Sequence, residues 1–173
     1  MSFSRFGVSG IPQLPILRHA ASKTKKIGQR DFDRVVSKKG FLEIAQTTDW
    51  LSQNPLNIEW VWSSPSIRTK TTANSIFKDF DCDFFYLPTL YLASFAELAE
   101  AIQTVPNEIK HLAIVGHNPG LSQLAGFLLA KEHPQFHMNT MELLSCEIKG
   151  NFGALKFGCG ELLLQRGHIN EAE

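Results

Sequence analysis

Apolar positions along this chain fall into two kinds of block, short runs and helical stripes, and their alternation sets the expected fold. Leu14 to Leu17 is a short apolar run, too short for a helix and suited to a buried strand. Lys23 to Ser37 is polar and has no period, which predicts a loop. From Lys38 to Ser52 the residues Phe41, Ile44, Ala45, Thr48 and Leu51 recur at helical spacing, with Ser37 placed to cap the first turn. Trp60-Val61-Trp62 predicts a second strand. Ser64-Pro65 then opens a helix to about Lys78, with Ser at the N-cap and Pro at the first helical position. Phe84 to Leu87 is a third strand, and Ser94 with Glu97 forms a capping box for a helix to about Thr104. His111 to Val115 is a strand. From Pro119 a helix carries Leu121, Leu124, Ala125, Leu128 and Leu129 as one apolar stripe. Leu143 to Ile148, Ala154 to Phe157 and Leu162 to Gln165 are predicted as closing strands.

Strands alternating with helices imply an α/β sheet covered on both faces. The closing strands have no helices between them, so an antiparallel element is expected at one edge. The expectation is a single three-layer α/β/α domain with a mostly parallel, mixed central sheet. The length of 173 residues fits one domain. It divides into a Ser/Gly-rich lead-in over 1–13, a domain over 14–166 and a polar tail over 167–173.

Composition narrows the function. The 17 basic residues balance the 17 acidic ones, which argues against nucleic acid as a partner, because phosphate-backbone binding leaves a basic excess. No window approaches the ~18 consecutive apolar residues of a membrane span. Cys82, Cys146 and Cys159 are an odd, scattered set with neither disulfide nor metal-ligand spacing. No apolar run of signal-peptide type follows Arg5, so the expected compartment is the reducing cytoplasm.

Candidate chemistry gathers at three strand ends. Arg18 and His19 stand where the first apolar strand runs out, which in an open α/β sheet is the ligand-binding edge. Arg68 follows Trp62-Ser63-Ser64-Pro65 in the first turn of a helix. A cation there opposes the helix dipole and makes sense with an anion between it and the helix end. His117 follows Ile114-Val115-Gly116 and precedes Asn118-Pro119, beside free backbone N–H groups. Two arginines, two histidines and a helix N-terminus on one edge suit a dianion such as a phosphoryl group.

These segments resemble the histidine phosphatase superfamily, which has the phosphoglycerate-mutase-like fold, and in particular its small bacterial phosphohistidine phosphatase branch. Arg18-His19-Ala20 is similar to the superfamily's Arg-His-Gly. Asp31-Phe32-Asp33-Arg34 with Lys38-Lys39-Gly40 resembles the branch's Asp-Phe-Asp-Arg-Pro-Leu-Asn-Lys-Arg-Gly. Ser63 to Ala73 resembles its Ser-Ser-Pro-x-x-Arg-x-x-x-Thr-Ala, and Leu90-Tyr91 its Leu-Tyr. Val115 to Leu121 matches its Val-Gly-His-Asn-Pro-Gly-Leu. The likeness runs in order from Leu14 to Phe157. It implies a metal-independent phosphatase with no cofactor. His19 would be the nucleophile that forms a covalent phosphohistidine, with Arg18, Arg68 and His117 holding the phosphoryl oxygens. Ser22 and Asn118 are further candidates for phosphate binding. The implied substrate is a phosphohistidine on a protein or a small phosphomonoester, with no nucleic acid and no membrane involved.

Two positions depart from that pattern. Ala20 and Ala21 replace the Gly of the superfamily and the Lys common in the branch. Leu92 stands where relatives carry a Glu that serves as general acid; Glu97 is accounted for by the capping box, and Asp31 is the candidate substitute. A phosphoramidate leaving group demands less of an acid, so the absence leans towards phosphohistidine. A phosphate-binding module of the same fold with little or no turnover is the alternative, and a mutase-type activity is disfavoured by the short chain. The other polar residues take structural readings. His133 and His137 are four apart with Pro134 between them and no third metal ligand near. His111 begins a strand, His168 lies in the tail, Phe84-Phe85-Tyr86 are core, and Asn139-Thr140 resembles a stretch at the pocket rim.

Overall fold

Strand β1 spans Gln13–Arg18, followed by α1 (Lys38–Gln53), β2 (Trp60–Ser63), α2 (Ile67–Phe77) and β3 (Asp83–Tyr86). Then come α3 (Phe95–Gln103), β4 (Leu112–Gly116), α4 (Gly120–Leu128), β5 (Leu143–Ile148) and β6 (Gly160–Arg166). These elements are taken from a computed structural model of the chain, which describes residues 10–130 and 137–167. The strands form one sheet in the order β3-β2-β4-β1-β5-β6. The first four are mutually parallel, β5 runs antiparallel to β1, and β6 antiparallel to β5. The sheet is therefore mixed, with its antiparallel part at one edge, as the closing strands without helices imply.

The period of two along each strand divides the core into halves. Leu14 and Ile16 of β1, with Leu112 and Ile114 of β4, join Leu98 and Ile102 of α3 and Leu121, Leu124 and Leu128 of α4. Leu17, Ala113 and Val115 point the other way, to Ile44 and Leu51 of α1 and Ala73, Ile76 and Phe77 of α2. Three layers result, α1 and α2 on one face and α3 and α4 on the other. Ser37 caps α1 by accepting from the Gly40 N–H, and Ser94 and Glu97 make both hydrogen bonds of the capping box on α3.

Several sequence expectations are corrected. Helix α2 begins at Ile67 with Ser66 as its cap, not at Ser64-Pro65. Ser64 still belongs to the strand end, because its N–H donates to Val115 O at 3.2 Å. Ala154 to Phe157 is not a strand: Phe152–Ala154 is a 3-10 turn whose Phe152 is buried, and the chain turns again from Lys156 to Cys159 before β6. A second 3-10 turn, Asp31–Asp33, interrupts the expected loop. The buried stripe of α1 is Gly40, Ile44, Thr47 and Leu51, and Phe41 is exposed. Strand β4 starts at Leu112, one residue after His111, and α4 starts at Gly120 with Pro119 as its cap. Strand β3 is an edge strand, so Phe84, Phe85 and Tyr86 are half-buried, as is Leu129. His133 and His168 lie outside the described residues.

The phase of α1 has a cause at its first turn. Gly40 faces the chain just beyond His19, and a Cβ added there would stand 2.2 Å from Ala21 O and 2.7 Å from Val36 Cγ1. No side chain fits against a backbone carbonyl at that distance, so glycine lets α1 dock on the Ala20-Ala21 turn. Gly40→Ala is expected to destabilise the fold by about 1–3 kcal/mol, the usual range for overpacking. Urea denaturation measures this, and an unchanged midpoint would count against the close approach.

Candidate active site

The parallel strands β1, β2 and β4 end at one edge of the sheet, and their last residues are tied together there. His19 N donates to Gly116 O at 3.2 Å, beside the Ser64 bond to Val115 O already described. Arg18-His19, Ser64 to Arg68 and Gly116-His117 therefore meet although they come from separate thirds of the chain. The turn after His19 is clamped on all sides. Ala20 N donates to Thr72 Oγ1 at 3.0 Å and Ala21 N to Glu43 Oε2 at 2.9 Å, while Ala21 O accepts from the Ser37 N–H and hydroxyl.

Within this frame His19 is 8% exposed and His117 4% exposed, with ring centroids 5.1 Å apart. The carbonyl of Ala20, 2.8 Å from His19 Nδ1, can only accept, so Nδ1 carries the proton and Nε2 the lone pair. Arg68 Nε donates to that Nε2 at 3.2 Å. Arg68 Nη2 stands 3.3 Å from His117 Nδ1, which leaves His117 Nε2 to donate to Ser64 Oγ at 2.9 Å. Arg68, itself 2% exposed, thus faces an imidazole lone pair on each side.

Burial pushes His19 down to about 4, and the nearby Arg68, Arg18 and Arg34 add to this against the raising effect of the Ala20 carbonyl. Burial, then His19 and Arg68, push His117 down to about 3. Both rings are neutral at physiological pH. A dianion entering between them would reverse the balance at His117 and favour its protonation.

Asp31 stands against the same arginine. Its Oδ2 accepts from Arg68 Nη2 at 2.8 Å and from the Tyr91 hydroxyl at 2.9 Å, its Oδ1 from Arg34 Nη1 at 3.0 Å, and its backbone O from Arg68 Nη1 at 2.7 Å. Burial alone would raise its pKa, but the hydrogen bonds from Arg34, Arg68 and Tyr91 outweigh that and hold the carboxyl well below the usual carboxylate range. Asp31 is an anion at neutral pH.

Arg18 sits on the other side of the site. Its Nη1 donates to Met138 O at 2.7 Å and lies 3.2 Å from His137 Nε2, while its buried Nε has no hydrogen-bond partner among the described residues. Asn118 Nδ2 donates to the same Met138 O at 2.8 Å, and its Oδ1 accepts from Ser122 at 2.7 Å. Ser22 makes a backbone bridge to Val36. Leu92, where a carboxylic acid is expected from the resemblance, is 53% exposed and follows Tyr91 with φ +52°. Thr140 donates to Glu43 Oε1 at 2.9 Å, close behind the His19 turn. Sequence reasoning gives no site role to Arg34, Tyr91 or His137, nor to Ser64 in its contact with His117, although Arg34, Ser64 and Tyr91 lie in the matched segments. Among the described residues no group of His, Cys, Asp or Glu side chains is arranged to hold a metal ion.

This order of strands, with two Arg and two His gathered at one edge of the sheet, is the phosphoglycerate-mutase-like fold, which the chain shares with solved members of the histidine phosphatase superfamily. It superimposes on a SixA protein of Agrobacterium tumefaciens, a candidate phosphohistidine phosphatase, with a TM-score of 0.78 and 20% identity, covering 91% of this chain and 98% of that one. A protein histidine phosphatase SixA solved with tungstate gives 0.73 and 22% identity over 88% of this chain and 95% of that one. In sequence, an uncharacterised Mycobacterium tuberculosis protein is 30% identical over 63% of this chain and 67% of its own length, and the two are of one family. An uncharacterised chloroplast protein of Arabidopsis thaliana is 28% identical over 67% of this chain, a match that spans only 58% of the plant protein. No family model matches the chain.

The two neutral histidines give stability a pH dependence of known sign. An unfolded His titrates near ~6.5. Above that value neither state binds the proton. As pH falls from ~6.5 towards about 4, the unfolded chain takes up protons that folded His19 and His117 refuse, so stability drops. Asp31 acts below that window: its folded pKa is depressed, so its contribution is complete above ~4 and is lost at lower pH. The urea midpoint should fall between pH 6.5 and 4, less steeply in His117→Gln. A midpoint that stays flat through that window would contradict the neutral pair.

Proposed function

We propose that the chain is a metal-independent phosphatase that transfers a phosphoryl group to His19 Nε2 and then to water. The observation that carries the reading is the convergence of Arg68 on the lone pairs of His19 and His117 at the mouth of three parallel strands. In the first step the Nε2 lone pair attacks phosphorus, and the bond from phosphorus to the leaving group breaks with its electron pair staying on that group. In the second step water attacks the phosphohistidine, the P–N bond returns its pair to Nε2, and inorganic phosphate leaves. Arg18, Arg68 and a His117 protonated on binding hold the phosphoryl oxygens, with Asn118 at the edge of the site beside Arg18. The unpartnered Nε of Arg18 supports an anion on that side. Tungstate, bound in the solved SixA, is a tetrahedral oxyanion like phosphate.

The substrate class follows from the proton the leaving group needs. Asp31 is deprotonated and Leu92 has none to give, so a leaving group that arrives already protonated is favoured. The imidazole of a phosphohistidine fits, because it departs as the neutral ring when its other nitrogen carries a proton. An alkoxide has no such help. A phosphohistidine on a protein is therefore favoured over an alkyl phosphomonoester, in a cytoplasmic setting.

The test is hydrolysis of phosphoramidate, of a phosphohistidine peptide and of an aryl phosphate in the presence of chelator. Activity should survive the chelator. His19→Ala should lose at least about a thousandfold in kcat yet still bind vanadate. His117→Ala should lose ~10²–10³. Near-normal turnover by His19→Ala, or a trapped phosphate on a serine, would overturn the mechanism. Vanadate binding without turnover of any of the three would make the chain a phosphate-binding module.

A further inference from the structure

Arg68 meets a carboxylate at one edge and two neutral imidazoles at the other. A guanidinium offers two bidentate edges, an end formed by Nη1 and Nη2 and a side formed by Nε and Nη2. Asp31 covers the end edge, its backbone O on Nη1 at 2.7 Å and its Oδ2 on Nη2 at 2.8 Å. The side edge faces the two imidazoles, Nε on His19 Nε2 at 3.2 Å and Nη2 by His117 Nδ1 at 3.3 Å. A phosphoryl group entering between the histidines can take the side edge while Asp31 keeps the end. Three donors from separate parts of the chain fix the carboxylate: Arg68 of α2, Arg34 beyond the 3-10 turn, and the hydroxyl of Tyr91 after β3. The Tyr91 ring is itself fixed edge-on, 5.1 Å from Phe32 and 5.5 Å from His117. Asp31 is a third exposed where Arg68 is 3% exposed, so the carboxylate closes the arginine off from solvent.

We propose that Asp31 and Tyr91 are positioning residues of the phosphoryl-transfer site: Asp31 holds Arg68 by its end edge so that the side edge meets the phosphoryl oxygens, and Tyr91 holds Asp31. The proposal rests on the phosphatase reading and assigns Asp31 a role other than proton donation. A residue that acts only through Arg68 has no effect once Arg68 is gone, which a double-mutant cycle detects.

The experiment is that cycle, read by kcat and KM on an aryl phosphate and by orthovanadate affinity. Asp31→Asn should lower kcat/KM by about tenfold to a hundredfold, a fraction of the loss from an oxyanion-holding group. Tyr91→Phe, which keeps the ring, should cost a few-fold. In an Arg68→Ala background both changes should fall within about twofold of no effect. Effects that multiply would overturn the positioning role while leaving the phosphatase reading intact. If Arg68→Ala is as active as wild type, or if wild type neither turns over nor binds vanadate, the phosphatase reading fails with it.

The pH profile of Asp31→Asn alone decides the matter should Arg68→Ala not fold. His117 is faced by His19, Arg68, Arg18, Asp31 and the Tyr91 ring. Because His117 acts protonated in the complex, removing the one negative charge among them should move the alkaline limb of kcat to lower pH, while the acid limb, set by deprotonation of His19, stays in place. Loss of an alkaline limb would make Asp31 the proton donor and overturn the proposal.

Discussion

A guanidinium keeps its charge at any physiological pH, and Arg68 keeps it at 2% exposure. A buried cation with no counter-charge would cost several kcal/mol, so the site is arranged around supplying one. The counter-charge is Asp31, on a loop that does not run beside α2 in sequence and must be brought there. The backbone bridge of Ser22 to Val36 closes the base of that loop, and the 3-10 turn Asp31–Asp33 aims the carboxylate inward. The same positive charge, added to burial, keeps both histidines deprotonated. The neutrality of both histidines and the conformation of the loop thus follow from one buried arginine.

Rigidity around His19 has a separate source. Four backbone groups on either side of Ala20 are held by Thr72, Glu43, Ser37 and Gly116, which belong to α2, α1, its cap and β4. Glu43 also accepts from Thr140, tying the His19 turn to the segment that carries the partners of Arg18. The imidazole is therefore aimed by the backbone beneath it, and its Nδ1 proton is spent on the adjacent carbonyl. That arrangement leaves one nitrogen for chemistry and fixes which one it is.

The chemistry-bearing strand ends were legible in the sequence because each lies within a few residues of an apolar run and a helix start. Arg18-His19, Arg68 and His117 needed only local pattern and spacing. Tyr91 was not legible, since its contact with Asp31 spans sixty positions and depends on how two loops fold towards each other. Arg34 and His137 were hidden for the same reason. Ser64 was misread because it looks like a helix cap, whereas its N–H extends the strand and its hydroxyl oxygen accepts a hydrogen bond from His117. Phe41 was placed inside because periodicity counts residues and does not see that Gly40 must face the Ala21 carbonyl. Ala154 to Phe157 has strand-like composition, but the chain has to reverse there for β6 to pair with β5.

The sheet order also bears on how the site comes into being. Strand β4 lies between β2 and β1, yet it is synthesised after both. Until it is inserted, the two earlier strands have no common neighbour in the sheet, and Arg18-His19 and Arg68 are related only through the packing of α1 on α2 and the bonds of Ala20 to Thr72 and of Arg68 to Asp31. Insertion supplies the middle of the sheet and His117 in one event. A chain interrupted before Leu112 therefore lacks His117 and also the strand that joins the other two in one sheet. The candidate site and the sheet that carries it are completed by the same strand.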